Sequence, residues 1–415
     1  MKRFVWLYVT AILLLTALFL FLPSCGSSSG TAETLYVYNW GEYISDGSEG
    51  SLDTNAEFEN YCREVLGRDV TVNYSTFSSN EDMYAKISSG SAFYDVIIPS
   101  DYMIERMVAE DMLLPLDLSK IPNYKYIDER FKGDNVYYED DSDNVYSVPY
   151  FYGMVGIIYN TEIVDENDEQ LGSWALMWDA DYRGDILQFN NSRDAFGTAL
   201  YYLGYDVNHA TEAQWREALE LLKTQKDVVQ GYVMDEIFNK MKSGSAAVSS
   251  YYAGDFLSMY EDNDSLAFFY PEEGTNSYID AMCIPKTSRN QDLALEYINF
   301  MCSKEIGIAN AEYTYYASPL TTVVEDEGYQ ETMAEVHEDA YEILYGESAH
   351  EVPTQAYLNL SADRLILLND LWEELKVESS IGRGIYICCG VIVASLVALA
   401  VYQILKKRRW AKLYD

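Results

Sequence analysis

Histidine is almost missing from this chain of 415 residues: His209, His337 and His350 are the three it has. None stands in an HExxH-type spacing, which removes the usual ligand set of a zinc hydrolase. A P-loop and a GxGxxG turn are also missing, and with them the signatures of NTPases and dinucleotide enzymes. Cysteine is scarce as well. Cys62, Cys283 and Cys302 are odd in number and without metal spacing, so apolar burial is their expected role, while Cys388 and Cys389 lie in an apolar run near the end. Adjacent carboxylates, Glu81 with Asp82 and Glu272 with Glu273, read as solvated surface rather than as a glycosidic pair. The acidic run from Glu139 to Asp143 lacks EF-hand spacing and reads as a solvated loop. No sequence feature argues for an enzyme, a cofactor or a bound metal.

Basic residues are the other shortage. Lysine and arginine number 28 against 67 aspartates and glutamates, a formal charge of −39. Residues 26–384 hold 21 of the 28 basic and 66 of the 67 acidic residues, a net of −45. So acidic a surface repels nucleic acid and anionic lipid and attracts cations; it equally serves solubility outside the cell, and charge alone does not separate the two. Thirty-eight tyrosines beside those carboxylates favour a cation with an apolar stem.

What the chain does have begins at its ends. Lys2 and Arg3 precede an uncharged apolar run over 4–22, then Leu22-Pro23-Ser24-Cys25-Gly26 and a Ser/Gly linker. This resembles a lipoprotein signal cleaved before Cys25, whose sulfur would carry lipid; an uncleaved anchor is the alternative. At the other end, residues 385–405 are long and apolar enough to span a bilayer. Lys406-Lys407-Arg408-Arg409 follows at once, which places that tail in the cytoplasm and the body outside.

Between the ends, apolar strands alternate with amphipathic helices, the order of an α/β fold with a parallel sheet and right-handed crossovers. The organising stretch is Leu35-Tyr36-Val37-Tyr38-Asn39-Trp40-Gly41-Glu42-Tyr43. Its strand is apolar throughout 35–38, Asn39 breaks the run, and Gly41 allows a bend that delivers Trp40, Glu42 and Tyr43 at the strand's carboxyl end. Open α/β sheets bind their ligands there. A helix is expected over 55–65 with Val65 on its buried face, and Ser78 with Glu81 spells a capping box for the helix after 81. The same pairing of aromatic with acidic or amide residues recurs at Asp101 and Tyr102, Asn191 and Asp194, Tyr252 and Asp255, and Tyr278 and Asp280. Five such groups spread over two lobes would meet in one cleft if the lobes closed.

These residues resemble the bacterial polyamine-binding proteins of ABC importers, the spermidine/putrescine-binding family. The similarity runs from about Leu35 to Lys376. It is carried by the stretch 35–43, by Ser79-Asn80-Glu81-Asp82-Met83-Tyr84-Ala85-Lys86, and by Tyr94-Asp95-Val96-Ile97-Ile98-Pro99-Ser100-Asp101-Tyr102. Val148-Pro149-Tyr150 and Tyr278-Ile279-Asp280 with Ile284-Pro285 support it. The resemblance implies a two-lobed periplasmic-binding-protein-like fold of the second type, α/β and hinged, here with a C-terminal transmembrane helix added. The expected organisation is a leader and linker over 1–30 and a first lobe over 31–147 with return segment 280–315. A second lobe over 148–279 with 316–376 follows, then the span 385–405 and the basic tail 406–415.

It also implies a site. Trp40, Tyr43, Ser100 and Tyr102, with Asp101 beside them, would line the first lobe's side; Asp194, Tyr252, Tyr278, Asp280 and Tyr316 would complete the box, Asp280 meeting an amine nitrogen. Tyr252 and Tyr278 stand where the family usually has Trp. Asn191 falls where spermidine-type members use Asp, whereas Tyr252-Ala253-Gly254-Asp255 resembles the Trp-Ala-Gly-Asp of putrescine-type members, so Asp255 would supply that charge. Leu358 sits at the place of an expected Gln ligand. The implied partners are the polyamine, the ABC permease subunits with their cytoplasmic ATPase, and the membrane, held through the C-terminal helix and through lipid at Cys25. Nucleic acid is not among them. The implied location is the cell membrane with the binding domain extracytoplasmic. On the residues alone, a receptor for Fe³⁺, a peptide or a sugar, and an acidic surface adhesin, remain open.

Overall fold

Strand β1 (Glu33–Trp40) outlasts the apolar run that predicts it. Asn39 does not end the strand; its fully buried side chain stays in register opposite Thr76. The computed structural model describes residues 32–133, 144–346, 352–380, 391–397 and 402. The leader with Cys25, most of the acidic run after Asp128 and the basic tail lie outside these residues. So does most of 385–405; the described part of it, 391–397 and 402, is helical with exposed side chains. Among the described residues no helix is long and apolar enough to cross a membrane, so the expected span finds no support there.

Nine further strands follow: β2 Val70–Phe77, β3 Val96–Ile97, β4 Ser147–Asn160, β5 Ile186–Phe189, β6 Val229–Val233, β7 Val248–Tyr252, β8 Leu266–Phe269, β9 Thr275–Cys283 and β10 Thr354–Ala356. They join in the order β2-β1-β3-β9-β4-β7-β5-β6, with β10 beside β9 and β8 beside β4. Two parallel triplets, β2-β1-β3 and β7-β5-β6, are the cores of two lobes. Each is wound by strand–helix–strand crossovers, as the alternation in sequence requires. Between them β4 and β9 run antiparallel to each other and to the triplets they border. Fourteen residues long, β4 passes from one lobe into the other. Pro149, which has no N–H to give the ladder, sits where the β4–β9 register shifts. A third crossing runs beside β4, where Tyr152 N donates to Ala317 O at 3.1 Å. The result is a two-lobed α/β fold.

Two local expectations fail for identifiable reasons. The first helix is α-helical only over Thr54–Tyr61 and then widens into a π turn over Cys62–Leu66. That extra residue per turn rotates Val65 off the buried face, leaving it 66% exposed. The helix Asn80–Ser88 is capped one residue later than its sequence suggests: the Ser79 hydroxyl accepts from Asp82 N. The capping pair is therefore Ser79 with Asp82, and Glu81 takes no part in it. Cys62, Cys283 and Cys302 are buried free thiols.

Asp95, fully buried beside β3, holds the first lobe's sheet to the loop ahead of helix Gln291–Met301. One oxygen accepts Tyr36 N at 3.0 Å; the other accepts Ser288 Oγ at 2.8 Å, Arg289 N at 2.8 Å and Asn290 N at 2.9 Å. Asp95→Ala takes the shared acceptor from these part-buried donors, and unsatisfied buried donors cost about 1–3 kcal/mol each. We expect a loss of about 3 kcal/mol or more in urea-denaturation stability. A change below about 1 kcal/mol would show that the loop finds other acceptors.

Candidate functional site

Each strand that ends at the space between the lobes hands a polar or aromatic side chain into it. The turn after β1 supplies Trp40, Gly41 and Tyr43, and the segment after β3 supplies Ser100, Asp101 and Tyr102. From the second lobe come Asn191 and Asp194 in the helical turn after β5, and Tyr252 and Asp255 after β7. The crossing strand β9 adds Tyr278 and Asp280, and the third crossing adds Tyr316. All twelve residues named from the sequence therefore line one cleft, which encloses about 800 Å³ with open solvent included. Glu42 is not among its lining. Its φ of 48° places the left-handed bend at Glu42 rather than at Gly41, and this turns Tyr43 inward. Gly41 serves a different need, since a Cβ there would lie 2.6 Å from Asp235 Oδ2 of the other lobe.

Further lining residues were not anticipated. Asn80 and Glu81 reach the cleft from the start of helix Asn80–Ser88, Met234 and Asp235 from the end of β6, and Tyr357 from just beyond β10. Glu81 is thus no solvated helix residue, because the shifted cap leaves its side chain facing the cleft. Leu358 does not line it; the neighbouring Tyr357 does, over helix Ser192–Tyr202, where Gly197 leaves room for the Tyr357 hydroxyl. The one available signal was the aromatic residue itself, which carried no local periodicity.

Six carboxylates face this space: Glu81, Asp101, Asp194, Asp235, Asp255 and Asp280. Among the described residues, no lysine or arginine lines it. Five of them are held instead by neutral donors. Asp280 accepts Tyr43 Oη at 2.7 Å and Ser100 Oγ at 2.6 Å. Asp194 Oδ2 accepts Asn191 Nδ2 and Tyr252 Oη, both at 2.8 Å. Asp255 accepts Tyr316 Oη at 2.7 Å, and Glu81 accepts Tyr102 Oη at 3.0 Å. Asp101 differs from these. It accepts the N–H groups of Tyr102 at 2.7 Å and Ile279 at 3.3 Å, so it ties β9 to the start of helix Asp101–Ala109.

Burial without a cation disfavours the ionised forms. Desolvation pushes Asp255 up to about 8, against the opposing Tyr316 hydrogen bond. Desolvation likewise raises Asp280 to about 6, opposed by Ser100 and Tyr43. It also raises Glu81, Asp194 and Asp235 above the ordinary carboxylate range, and Asp101 well above it. The aromatic walls pack edge to face: Tyr43 against Tyr316 at 4.5 Å, and Tyr252 against Tyr278 at 5.3 Å. The Tyr278 hydroxyl is buried without a hydrogen-bond partner among the described residues. Such a set can do one thing well chemically, which is to surround a multiply charged organic cation. Among the described residues there is no group of three or more His, Cys, Asp or Glu arranged to hold a metal ion.

Comparison with known proteins bears on the family and on the fold. A family model described as bacterial extracellular solute-binding protein matches residues 57–336. The chain is 30% identical over 288 residues to a spermidine/putrescine-binding periplasmic protein of Salmonella typhimurium, covering 69% of this chain and 78% of that one. A putrescine/cadaverine-binding protein of Pseudomonas aeruginosa is 29% identical over 292 residues, covering 66% and 77%. Among solved structures, a putative spermidine/putrescine ABC transporter from Listeria monocytogenes superposes with a TM-score of 0.72 at 36% identity. That alignment covers 83% of this chain and 98% of the other.

The raised carboxyl pKa values have a consequence for stability. From about pH 4 upward the unfolded chain has lost these protons while the folded chain keeps them. Folding therefore binds protons across the window ending near 6 for Asp280 and near 8 for Asp255, and stability falls as pH rises through it. We expect the melting temperature of the ligand-free protein to drop between pH 5 and pH 8, and Asp255→Asn to flatten the upper part of that slope. An unchanged slope in the variant would remove Asp255 as its source.

Proposed function

The chain belongs to the bacterial extracellular solute-binding proteins, and from that premise we propose that it captures a polyamine, putrescine or spermidine, between its lobes for delivery to an ABC permease. Members of this family bind solute and do not transform it. The observation that carries the reading is the cleft itself: six carboxylates, tyrosine walls from both lobes, and no lysine or arginine among the described residues that line it. Asp194, Asp255 and Asp280 meet ammonium groups through charge-assisted hydrogen bonds. Trp40, Tyr43, Tyr102, Tyr252, Tyr278 and Tyr316 cover the methylene stem, each cation–π contact contributing about 0.5–2 kcal/mol. Ser100, Asp101 and Asn191 shape and orient these groups.

In the same reading the cleft lies outside the cell membrane. Segment 385–405 is its anchor, the basic cluster 406–409 faces the cytoplasm, and Cys25 is a lipid site. Support for the anchor comes from the sequence alone, an uncharged and mostly apolar run over 385–405 followed at once by four basic residues. Tethering beside the permease would keep the receptor at high effective concentration.

A thermal-shift panel of putrescine, cadaverine, spermidine, spermine and Fe³⁺ tests the assignment. At least one polyamine should raise the melting temperature, and none doing so would defeat it. Asp280→Asn removes one partner of a desolvated charge pair, which costs roughly 2–5 kcal/mol. Calorimetry should then show polyamine binding at least ~30-fold weaker; unchanged affinity would remove Asp280 from the site.

A further inference from the structure

Glu81 and Asp235 are the cleft carboxylates that the polyamine reading leaves unused, and Glu81 is the one with a hydrogen-bond partner in the cleft wall. With Ser79 and Asp82 forming the cap, it stands at the second position of its helix with no capping duty. Its Oε1 accepts the Tyr102 hydroxyl, and it lines the first-lobe side of the cleft. The charge on Asp194, from the second lobe, acts on it through the cavity. Burial chiefly, and Asp194 with it, holds the Glu81 carboxyl up, while Arg193 opposes both.

Arg193 completes the arrangement from behind. It is 3% exposed, and its guanidinium lies 4.4 Å over the Tyr357 ring and 5.9 Å over Tyr102, two cleft residues that screen it from the cavity. Its Nη2 donates to Asn208 Oδ1 at 3.0 Å and to Leu358 O at 3.3 Å, whereas Nε and Nη1 have no partner among the described residues. It forms no ion pair with either carboxylate among the described residues. Two carboxylates from opposite lobes and one buried guanidinium leave this end one positive charge short.

We propose that Glu81 is a ligand-binding, specificity-determining residue that, with Asp194 across the cleft, clamps one ammonium group of the polyamine. The inference rests on the polyamine reading and extends it to a residue outside the twelve. A primary ammonium has three donors and no acceptor, so it can bridge two carboxylates and still face a tyrosine ring. Because the two carboxylates belong to different lobes, their mutual repulsion opposes closure of the empty cleft. An ammonium between them reverses the sign. A neutral ligand cannot, so Glu81 selects for charge as well as adding affinity.

The test is calorimetry and thermal melting of the full chain with putrescine and spermidine. Glu81→Gln keeps an acceptor for Tyr102 and removes only the charge. Binding should weaken at least about tenfold, while the ligand-free melting temperature stays level or rises because a poorly solvated charge is gone. Glu81→Asp, which keeps the charge, should recover part of the loss, and Glu81→Ala should lose at least as much affinity as the Gln variant while its melting temperature also registers the lost acceptor of Tyr102. Affinity within about twofold of the parent in both the Gln and Ala variants would overturn the assignment. So would an affinity loss in the Gln variant accompanied by a melting temperature lowered by several degrees, which marks a structural role. Absence of polyamine binding by the unmodified chain would instead overturn the functional reading itself.

Discussion

Taking a carboxylate out of water is costly unless something replaces the water, and this cleft meets that demand with hydroxyls and an amide instead of cations. Tyr43 and Ser100 hold Asp280, Tyr252 and Asn191 hold Asp194, and Tyr316 holds Asp255. Neutral donors lower the cost of keeping charge buried but do not cancel the charge. The acids therefore sit in the folded protein at raised pKa, poised to ionise when a cation arrives. An internal lysine would have stabilised the empty site and closed it to an organic amine.

The fold makes those donors available by crossing. Tyr43 stands at the end of β1 yet bonds Asp280 on β9, and Tyr316 on the third crossing bonds Asp255 at the start of helix Ala253–Asp262. The two tyrosine rings then meet edge to face at 4.5 Å. Sheet, crossings and cleft are thus held by one chain of contacts. Glycines give it room: a Cβ at Gly153 would lie 2.6 Å from the Tyr278 hydroxyl, and one at Gly254 would lie 2.8 Å from the Tyr316 ring.

Much of this was legible because it is local. Apolar runs mark the strands, and the residue just past each run is by geometry at a strand's carboxyl end, so Trp40, Asp101 and Asp255 could be placed without a fold in hand. What stayed hidden depends on shifts or distances that sequence pattern does not encode. Glu81 reads as a capping partner or as solvated surface until the cap moves by one residue. Val65 reads as core until a π turn rotates it outward. Tyr357 belongs to the cleft because β10, three residues long, pairs with β9 and because Gly197 leaves space far away in sequence. A strand that short has no periodicity to detect.

Asn191 shows how one neutral residue changes the charge pattern of a site without disturbing its frame. As the cap of helix Ser192–Tyr202, its Oδ1 accepts Asp194 N at 2.8 Å, and its Nδ2 donates to Asp194 Oδ2 at 2.8 Å. An aspartate could make the first bond but not the second, since an ionised carboxylate only accepts. With the amide there, Asp194 is fixed in orientation and the end of the cleft carries one carboxylate from that turn instead of two. On the first lobe Glu81 lines the same cleft. A carboxylate on each lobe places anion–anion repulsion between the two lobes. There it acts on closure, and a bound cation relieves it.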